Sequence, residues 1–559
     1  MGALNVSRWP GLAVVGRCGL NALGLALLLA GEAQAQVPPA GVPGQIDPGL
    51  QREQLERNQR QQAIEERARR VVVPALKGEA PDAQQLPEQG ERFELSGISF
   101  NASVFLEKQT LEALARPYIG RPITFADLNA LLREVNALYE QQGQLTARAL
   151  IPPQTLSDGR LRIVLVEAKV DQVIWQGQPP KVDQAFYEAR MPVQSGETLD
   201  SLALMNSIER FNATTPGPQV TASLAPGQSF GTTRVELEAF EPGTFQWSAF
   251  VNNYGNEGTG REQYGGTATW FSPTGVADAF SAIVVATSGS QYGSLRYSRP
   301  VNRYNGIAYV EAGANTLEIQ TGPFAALNIE GESQTYGLGY DQPWWIDRQW
   351  LLLGGLGWNH QESETTIEGL ALSETSVDEI VLKGQFEYRA APWYARYEQR
   401  IRQANTDNQV TGESGSYQLL NGTAYLSRSL AEQRFEVVGR LGWQYASDTE
   451  TLPSTLLYQF GGISSVRGYD PGVIAAPQGM TLNLEAYWNY SERWQPFVFF
   501  DYGRAMELGT ADVDLDSIGV GLNFNWGKHL SVSVVAANTL TDVVPDQDSG
   551  QVLAQITLR

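Results

Sequence analysis

From Gly243 onward, apolar and polar residues alternate with a period of two. Phe245, Trp247, Ala249 and Val251 share one face of such a segment, and Leu352, Gly354, Leu356 and Trp358 share one face of another. The same pattern runs through Phe435, Val437, Gly439, Leu441, Trp443 and Tyr445, and through Ile518, Val520, Leu522, Phe524 and Trp526. Between them stand Gln246, Ser248, Asn252, Glu436, Arg440, Gln444, Asn523 and Asn525. Successive strand residues point to opposite faces, so this alternation predicts strands with lipid on one side and water on the other. About sixteen such segments of roughly ten residues follow one another, the length that a tilted membrane strand needs. Short links (Pro273-Thr274-Gly275, Ala390-Ala391-Pro392, Ser491-Glu492-Arg493, Gly527-Lys528) alternate with long polar ones (361–376, 404–415, 448–478, 541–549). Outer-membrane barrels show this asymmetry between their two sides, and unpaired strand edges are not tolerated in hydrocarbon. Residues 243–559 are therefore predicted to form a closed membrane β-barrel of about sixteen antiparallel strands.

Ahead of Gly243 the period changes. Leu128, Leu131, Leu132, Val135, Leu138 and Tyr139 recur at helical spacing, within an order strand–helix–helix–strand–strand over 91–168. Phe93–Phe100 is its first strand and Leu106–Tyr118 its first helix; Ala147–Ile151 and Leu161–Val166 flank the turn Ser157-Asp158-Gly159. The order repeats over 169–242: strand Val170–Trp175, helices Gln184–Ala189 and Leu199–Asn212, and a hairpin of Gln219–Ala225 with Thr233–Phe240. Two small α/β units are predicted to precede the barrel. An even strand count leaves them on the barrel's periplasmic side.

Residues 36–90 read as linker, with Pro74, Pro81 and Pro87. Within it, about 50–70 is rich in Gln, Glu and Arg, strong helix formers without an apolar stripe. That composition suits a polar helix in a water-filled space. At the start, Arg8 and Arg17 precede the apolar run Leu20–Ala30 and the small-residue site Ala33-Gln34-Ala35, so 1–35 is expected to be a secretory signal peptide. The only cysteine, Cys18, falls within it, which leaves no thiol chemistry after cleavage.

The net charge of −21 argues against nucleic acid as a partner. With two histidines in the chain, His360 and His529, no transition-metal site is expected. Asp512, Asp514 and Asp516 read as a solvated acidic loop. No phosphate-binding or dinucleotide motif is present, so no cofactor is expected. Gly227-Gln228-Ser229-Phe230-Gly231 has the form of a hydrolase nucleophile elbow, but it sits in a predicted hairpin and lacks a base, so no enzyme activity is expected.

Two motifs remain. Gly461-Gly462 and Val466-Arg467-Gly468-Tyr469 lie in the long loop 448–478, and Phe499-Phe500-Asp501 lies in a strand further on. Alternation puts Asp501 with Phe497, Phe499 and Gly503 on the inner face, where a guanidinium from a returning loop can meet it in a forked pair.

These motifs, with Ala149-Leu150-Ile151-Pro152-Pro153-Gln154 and Asp158-Gly159 in the first unit and Pro226-Gly227 and Gly231 in the second, resemble the two-partner secretion outer-membrane transporters (the TpsB family), relatives of the outer-membrane protein insertases. The small units look like polypeptide-transport-associated (POTRA) domains. The resemblance places Val466–Tyr469 at the tip of the sixth extracellular loop, folded back into the lumen, and Asp501 on the thirteenth strand. It implies that the Arg467–Asp501 contact anchors the loop and that the polar helix plugs the pore at rest. It further implies a Gram-negative outer membrane with POTRA domains in the periplasm. There they would catch the N-terminal secretion domain of an unfolded partner exoprotein (an adhesin, cytolysin or toxin) by strand addition. Further implied partners are outer-membrane lipid and the barrel assembly machinery, with the transporter itself a monomer. Two departures stand out: the chain ends Thr557-Leu558-Arg559 where the family commonly has an aromatic residue, and Gln141-Gln142-Gly143-Gln144 replaces a frequent Gly-Tyr. The alternatives are an insertase, which usually has more POTRA domains and no plug helix, and a porin-like channel.

Overall fold

The computed structural model describes residues 47–559 apart from 69–75, 78–83, 88–91, 157, 178–180, 323–324, 510 and 546. The expected signal peptide with Cys18, the linker up to 46, Pro74, Pro81 and Ser157 lie outside the described residues.

Sixteen antiparallel strands close into one barrel. Each pairs with its sequence neighbours, and the first (Phe245–Asn252) also pairs with the last (Gly550–Leu558). The lipid face is apolar along its length, with Trp247, Leu356 and Val520 exposed. Trp344, Trp345, Trp350, Trp393, Trp488, Trp494 and Trp526 sit at strand ends on the periplasmic rim, the interfacial belt expected of amphipathic rings.

Strand length departs from the expectation of roughly ten residues. Strands seven to ten (Trp350–Ile367, Leu370–Ala390, Trp393–Asn408, Glu413–Leu430) have 18, 21, 16 and 18 residues. The segments 361–376 and 404–415, expected as long loops, are continued ladders that end in tight turns near Gly369 and Gly412. Their Ser, Thr and acidic side chains end the lipid-facing alternation, because water covers both faces above the bilayer. The backbone pairing persists regardless, and Thr favours it. Alternation therefore measures the buried part of a strand and not the whole of it.

At the periplasmic mouth the first small unit contains β2 (Phe93–Glu94), β3 (Gly97–Phe100), α2 (Lys108–Ala115), β4 (Pro122–Ile123), α3 (Phe125–Gln141), β5 (Ala147–Leu150) and β6 (Arg160–Glu167). Its main sheet runs β3–β6–β5, and α3 lays Leu128, Leu131, Leu132, Val135 and Tyr139 against it. Thr124 and Asp127 cap α3 reciprocally, each side chain bonding the other's backbone N–H. In the second unit, β7 (Lys169–Gln176), α4 (Gln184–Glu188), α5 (Ser201–Thr214), β8 (Gln219–Pro226) and β9 (Thr232–Phe240) repeat the order. The helix expected from Leu199 starts at Ser201, because the Asp200 carboxylate accepts from the Ala203 N–H and caps it there. A strand that the periodicity did not predict, β1 (Leu76–Lys77), joins this sheet, giving the order β1–β8–β9–β7. Two residues are too few to show a period.

The two units meet through Gln144. Its amide donates to Asp200 (2.9 Å) and accepts from the Ser201 N–H (3.1 Å), at the start of α5. The second unit is docked on the barrel. The first periplasmic turn sends Val276 and Ala277 into the core of that unit, and the Asp183 N–H donates to the Gly275 carbonyl (2.9 Å). The next turn receives Arg190, which donates to Asn305 Oδ1 (2.8 Å) and to the Asn302 carbonyl (2.9 Å) and lies 3.5 Å from the Phe186 ring centre. Burial pulls this guanidinium down to about 10, so it stays charged at neutral pH.

Candidate functional site

The lumen holds two elements. One is α1 (Pro48–Ala68), a 21-residue helix. At 1.5 Å per residue it is about 31 Å long, close to the thickness of the hydrocarbon layer around the barrel. It runs from the extracellular end, where Ser454 donates to Asp47 (2.5 Å) and Asn315 to the Pro48 carbonyl (3.0 Å), to the periplasmic end. There Arg67 pairs with Glu387 (2.9 Å) and donates to the Ala213 carbonyl of the second unit (3.1 Å). Along its length the contacts to the wall are polar: Arg52 donates to Gln361 (2.6 Å), and Glu65 pairs with Arg440 (2.7 Å).

The other element is the loop 448–478, which folds back inside the barrel. A short hairpin, Tyr458–Phe460 with Ile474–Ala476, forms its stem. Gly461, Gly462 and Gly468 all have positive φ (+91°, +83° and +94°), which L side chains rarely adopt. A Cβ on Gly461 would collide with the Asp470 carbonyl, and one on Gly468 would lie 3.1 Å from Thr539 Cγ2 on the wall. These glycines therefore let the tip reverse and lie flat on the strands.

At that tip the structure brings together the residues singled out from the sequence. Arg467 Nε and Nη2 donate to the two oxygens of Asp501, both at 2.7 Å, and its backbone N–H donates to Oδ2 (3.1 Å). Asp501 is on the thirteenth barrel strand (Trp494–Met506), as the alternation and the resemblance both require. Phe499, two residues earlier on the same face, carries the guanidinium over its ring at 3.7 Å. Val466 packs beside Gly503, where a Cβ would come within 2.8 Å of Val466 Cγ2. Tyr469 donates to the Thr541 carbonyl (2.6 Å), which fixes the loop to the turn between strands fifteen and sixteen. Phe500 is on the opposite face of the strand from Asp501.

Other residues complete the site, and sequence reasoning did not select them. Glu485, on strand twelve (Gln478–Trp488), accepts from Arg467 Nη1 (2.6 Å) and from Tyr487 (2.5 Å) and is also bonded by Arg440. Asn483 donates to Asp501 (2.8 Å) and to the Ser465 carbonyl (2.5 Å). A signal was present: Asn483, Glu485 and Tyr487 alternate with Leu482, Leu484 and Ala486, which marks them as facing the lumen. Asp501, Glu485 and Arg467 are 0%, 3% and 3% exposed. Charges this buried persist only when paired, and here every charge has partners on at least two sides. Arg440 joins α1 to the wall beside the site, because it bonds Glu485 on one side and Glu65 of α1 on the other, and α1 touches the loop directly where Arg57 donates to the Gln459 carbonyl (2.9 Å).

The remaining candidates fall apart from this site. Residues 227–231 form the turn between β8 and β9, with no helix after them, and Phe230 is 83% exposed. His360 pairs with Asp378 on the extracellular extensions, while His529 sits at a periplasmic turn. Asp514 and Asp516, expected with Asp512 in an acidic loop, lie on strand fourteen (Val513–Trp526); Arg504 pairs with Asp512 (2.9 Å) and lies 3.9 Å from Asp514, Tyr502 donates to Asp514, and Thr541 donates to Asp516.

Comparison with known proteins follows this geometry. Residues 231–524 match the family described as haemolysin secretion/activation protein ShlB/FhaC/HecB, and 93–168 match the ShlB-type POTRA domain. The heme/hemopexin transporter protein HuxB of Haemophilus influenzae is 23% identical over 505 residues, covering 83% of this chain and 86% of that one. The outer membrane transporter CdiB of Dickeya dadantii is 25% identical over 516 residues, covering 87% and 88%. In fold, CdiB from Escherichia coli superposes with a TM-score of 0.72 at 18% identity, covering 90% of this chain and 98% of that one. CdiB from Acinetobacter baumannii gives 0.65 at 16% identity, covering 94% and 100%.

Proposed function

Because the chain belongs to the haemolysin secretion/activation protein family, we infer that it is the outer-membrane translocator of a two-partner secretion pair. It exports a partner exoprotein from the periplasm to the cell surface. The barrel spans the outer membrane and the two small units lie in the periplasm. The observation that carries the reading is the occupant of the lumen: a 21-residue helix of mostly polar residues, bound to the wall chiefly through polar contacts, with only Leu50, Ile64 and Ala68 in apolar surroundings. Such an occupant can leave into water at little cost, and its departure opens a channel beneath which two polypeptide-binding units are docked.

In this reading the POTRA units hold an extended segment of the partner, α1 withdraws, and the chain threads through unfolded. Folding at the surface makes export one-way, so no nucleotide is needed. Arg467 and Asp501 keep the loop on the wall so that it lines the route without closing it. The relatives are named for heme/hemopexin and haemolysin transport, and the cargo here is of that exoprotein kind. Contact with the barrel assembly machinery and a monomeric state belong to the same proposal. An insertase is disfavoured by α1, because a helix filling the lumen serves no purpose in a protein that delivers strands into lipid. The test is secretion of the partner exoprotein by cells making the full chain or a chain without 93–240. Loss of secretion with the barrel still in the membrane supports the translocator, whereas unchanged secretion contradicts it.

A further inference from the structure

Two described stretches between α1 and the first POTRA unit, Leu76–Lys77 and 84–87, lie on different units. Leu76 and Lys77 form β1, which pairs in parallel with Ala222 and Ser223 of β8, and Leu76 packs on the core of the second unit. Ten residues on, Leu86 packs on the core of the first unit, and its N–H and carbonyl bond both ends of the Asn129 amide (2.9 and 3.0 Å). Gln84 does the same in reverse: its side-chain amide accepts from the Ile151 N–H (2.7 Å) and donates to the Ile151 carbonyl (2.9 Å), just past β5.

Both strands concerned are at the end of their own unit's sheet. Without β1, the edge of the second unit's sheet would be β8, and β5 is an edge in the first. Each unit also caps part of that edge with its own asparagine. Asn212 bonds both backbone groups of Val220 (2.7 and 2.8 Å), and Asn136 accepts from the Ala149 N–H (2.8 Å). The backbone left for an outside strand begins where these caps stop, at Ala222–Pro226 on β8, and β1 covers two of those residues. Strand edges with unpaired groups are templates for another chain, and here the linker itself occupies the template.

We propose that β1 (Leu76–Lys77) is a built-in stand-in for the exported polypeptide. An extended segment of the partner, with an apolar residue placed like Leu76, takes the β8 edge by displacing β1. This rests on the secretion reading above and adds where the partner first docks and what it must displace. A two-residue strand is a weak occupant, and its hold comes from being tethered in the same chain. A longer incoming strand pairs along Ala222–Ala225, ahead of Pro226, which has no N–H to offer, and so wins. Residue 76 is eight positions after Ala68, the last described residue of α1.

Two measurements test this on the full chain in detergent or in cells. A fluorescent peptide with the sequence of Val71–Glu79 should bind Leu76→Asp/Leu86→Asp about tenfold more tightly than wild type, because the tethered competitor is gone. The same peptide carrying Leu76→Asp should not bind. Equal peptide binding by the two chains, with melting curves showing the variant folded, overturns the proposal. Separately, Lys77→Cys/Ser223→Cys in a Cys18→Ser background fixes β1 on β8 without touching Leu76. Oxidised, it should secrete at least about tenfold less exoprotein than the same chain in dithiothreitol, since the route through strand addition is shut. Secretion by the oxidised form at the level of the reduced form overturns the proposal. Failure of the reduced form and of wild type to secrete would instead overturn the secretion reading.

Discussion

Arg467 meets the wall through two 2.7 Å bonds to one carboxylate and is 3% exposed. By contrast, α1 meets the same wall mainly through the ends of long side chains: Arg67 and Glu65 are 28% and 24% exposed, and its polar contacts are spread over four strands. The loop is shaped by glycines to fit one place, with Val466 and Tyr469 in a packed apolar cluster. The helix has no comparable apolar seat, although Ile64 and Ala68 touch one. Two bodies in one lumen are thus held in opposite manners: one by buried, over-determined pairing that is costly to undo, the other by part-solvated bonds that water can replace. On the proposed secretion reading, the difference suits them to different duties, a fixed lining and a removable plug.

The contrast can be broken from either side. Deleting 48–68 should turn a mostly closed channel into a persistently open one in planar bilayers, the largest change expected, while the barrel stays folded. A deletion that leaves conductance closed would mean that the loop, not the helix, seals the pore. Next in size is Arg467→Ala. Removing one partner of a buried pair costs about 3–5 kcal/mol, here with Asp501 and Glu485 both left short of a cation. Secretion should be lost at normal barrel levels in the membrane. Arg467→Lys should be intermediate, because an ammonium cannot make the fork. Exchanging the charges between 467 and 501 should recover little, because a carboxylate at 467 would face Glu485.

Gly468→Ala is a milder attack on the same element. A residue with a side chain held at φ +94° costs of the order of 1–3 kcal/mol, so secretion should fall several-fold and limited proteolysis should cut the loop sooner. The smallest effect is expected on the helix side. Glu65→Gln removes a partly exposed ion pair worth about 0.2–1 kcal/mol, and channel openings should rise by a factor of about 1.4 to 5. Raising salt from about 0.1 to about 1 M should increase openings in the same direction by screening such pairs. The buried Arg467 pair should not respond to salt, and a matched response of both would erase the distinction.

Much of this was readable before any coordinates. The period of two fixed the barrel and the inward side of strand thirteen, because lipid and water demand opposite surfaces. Arg467 and Asp501 were legible from motif and face. Glu485 was not singled out, although its alternation placed it inside, because one acidic residue among many carries no label until a cation is seen beside it. The extended strands seven to ten escaped for a different reason: once both faces meet water, the hydrophobic pattern stops while hydrogen bonding goes on. β1 escaped because its pairing depends on the edge that β8 presents and not on its own two residues. Gln144 appeared in the sequence only as a departure in a loop, yet it joins the two periplasmic units at the α5 start.

The most direct test follows both bodies in one protein. With Cys18→Ser, spin labels can be placed on α1 at Gln62→Cys or on the loop at Ser464→Cys, each paired with Lys528→Cys in a periplasmic turn of the barrel as reference. Distance distributions are then measured by double electron–electron resonance before and after adding the amino-terminal fragment of the exoprotein. The account predicts that the helix distance broadens and shifts while the loop distance stays as it was. A loop distance that shifts while the helix distance holds would contradict it.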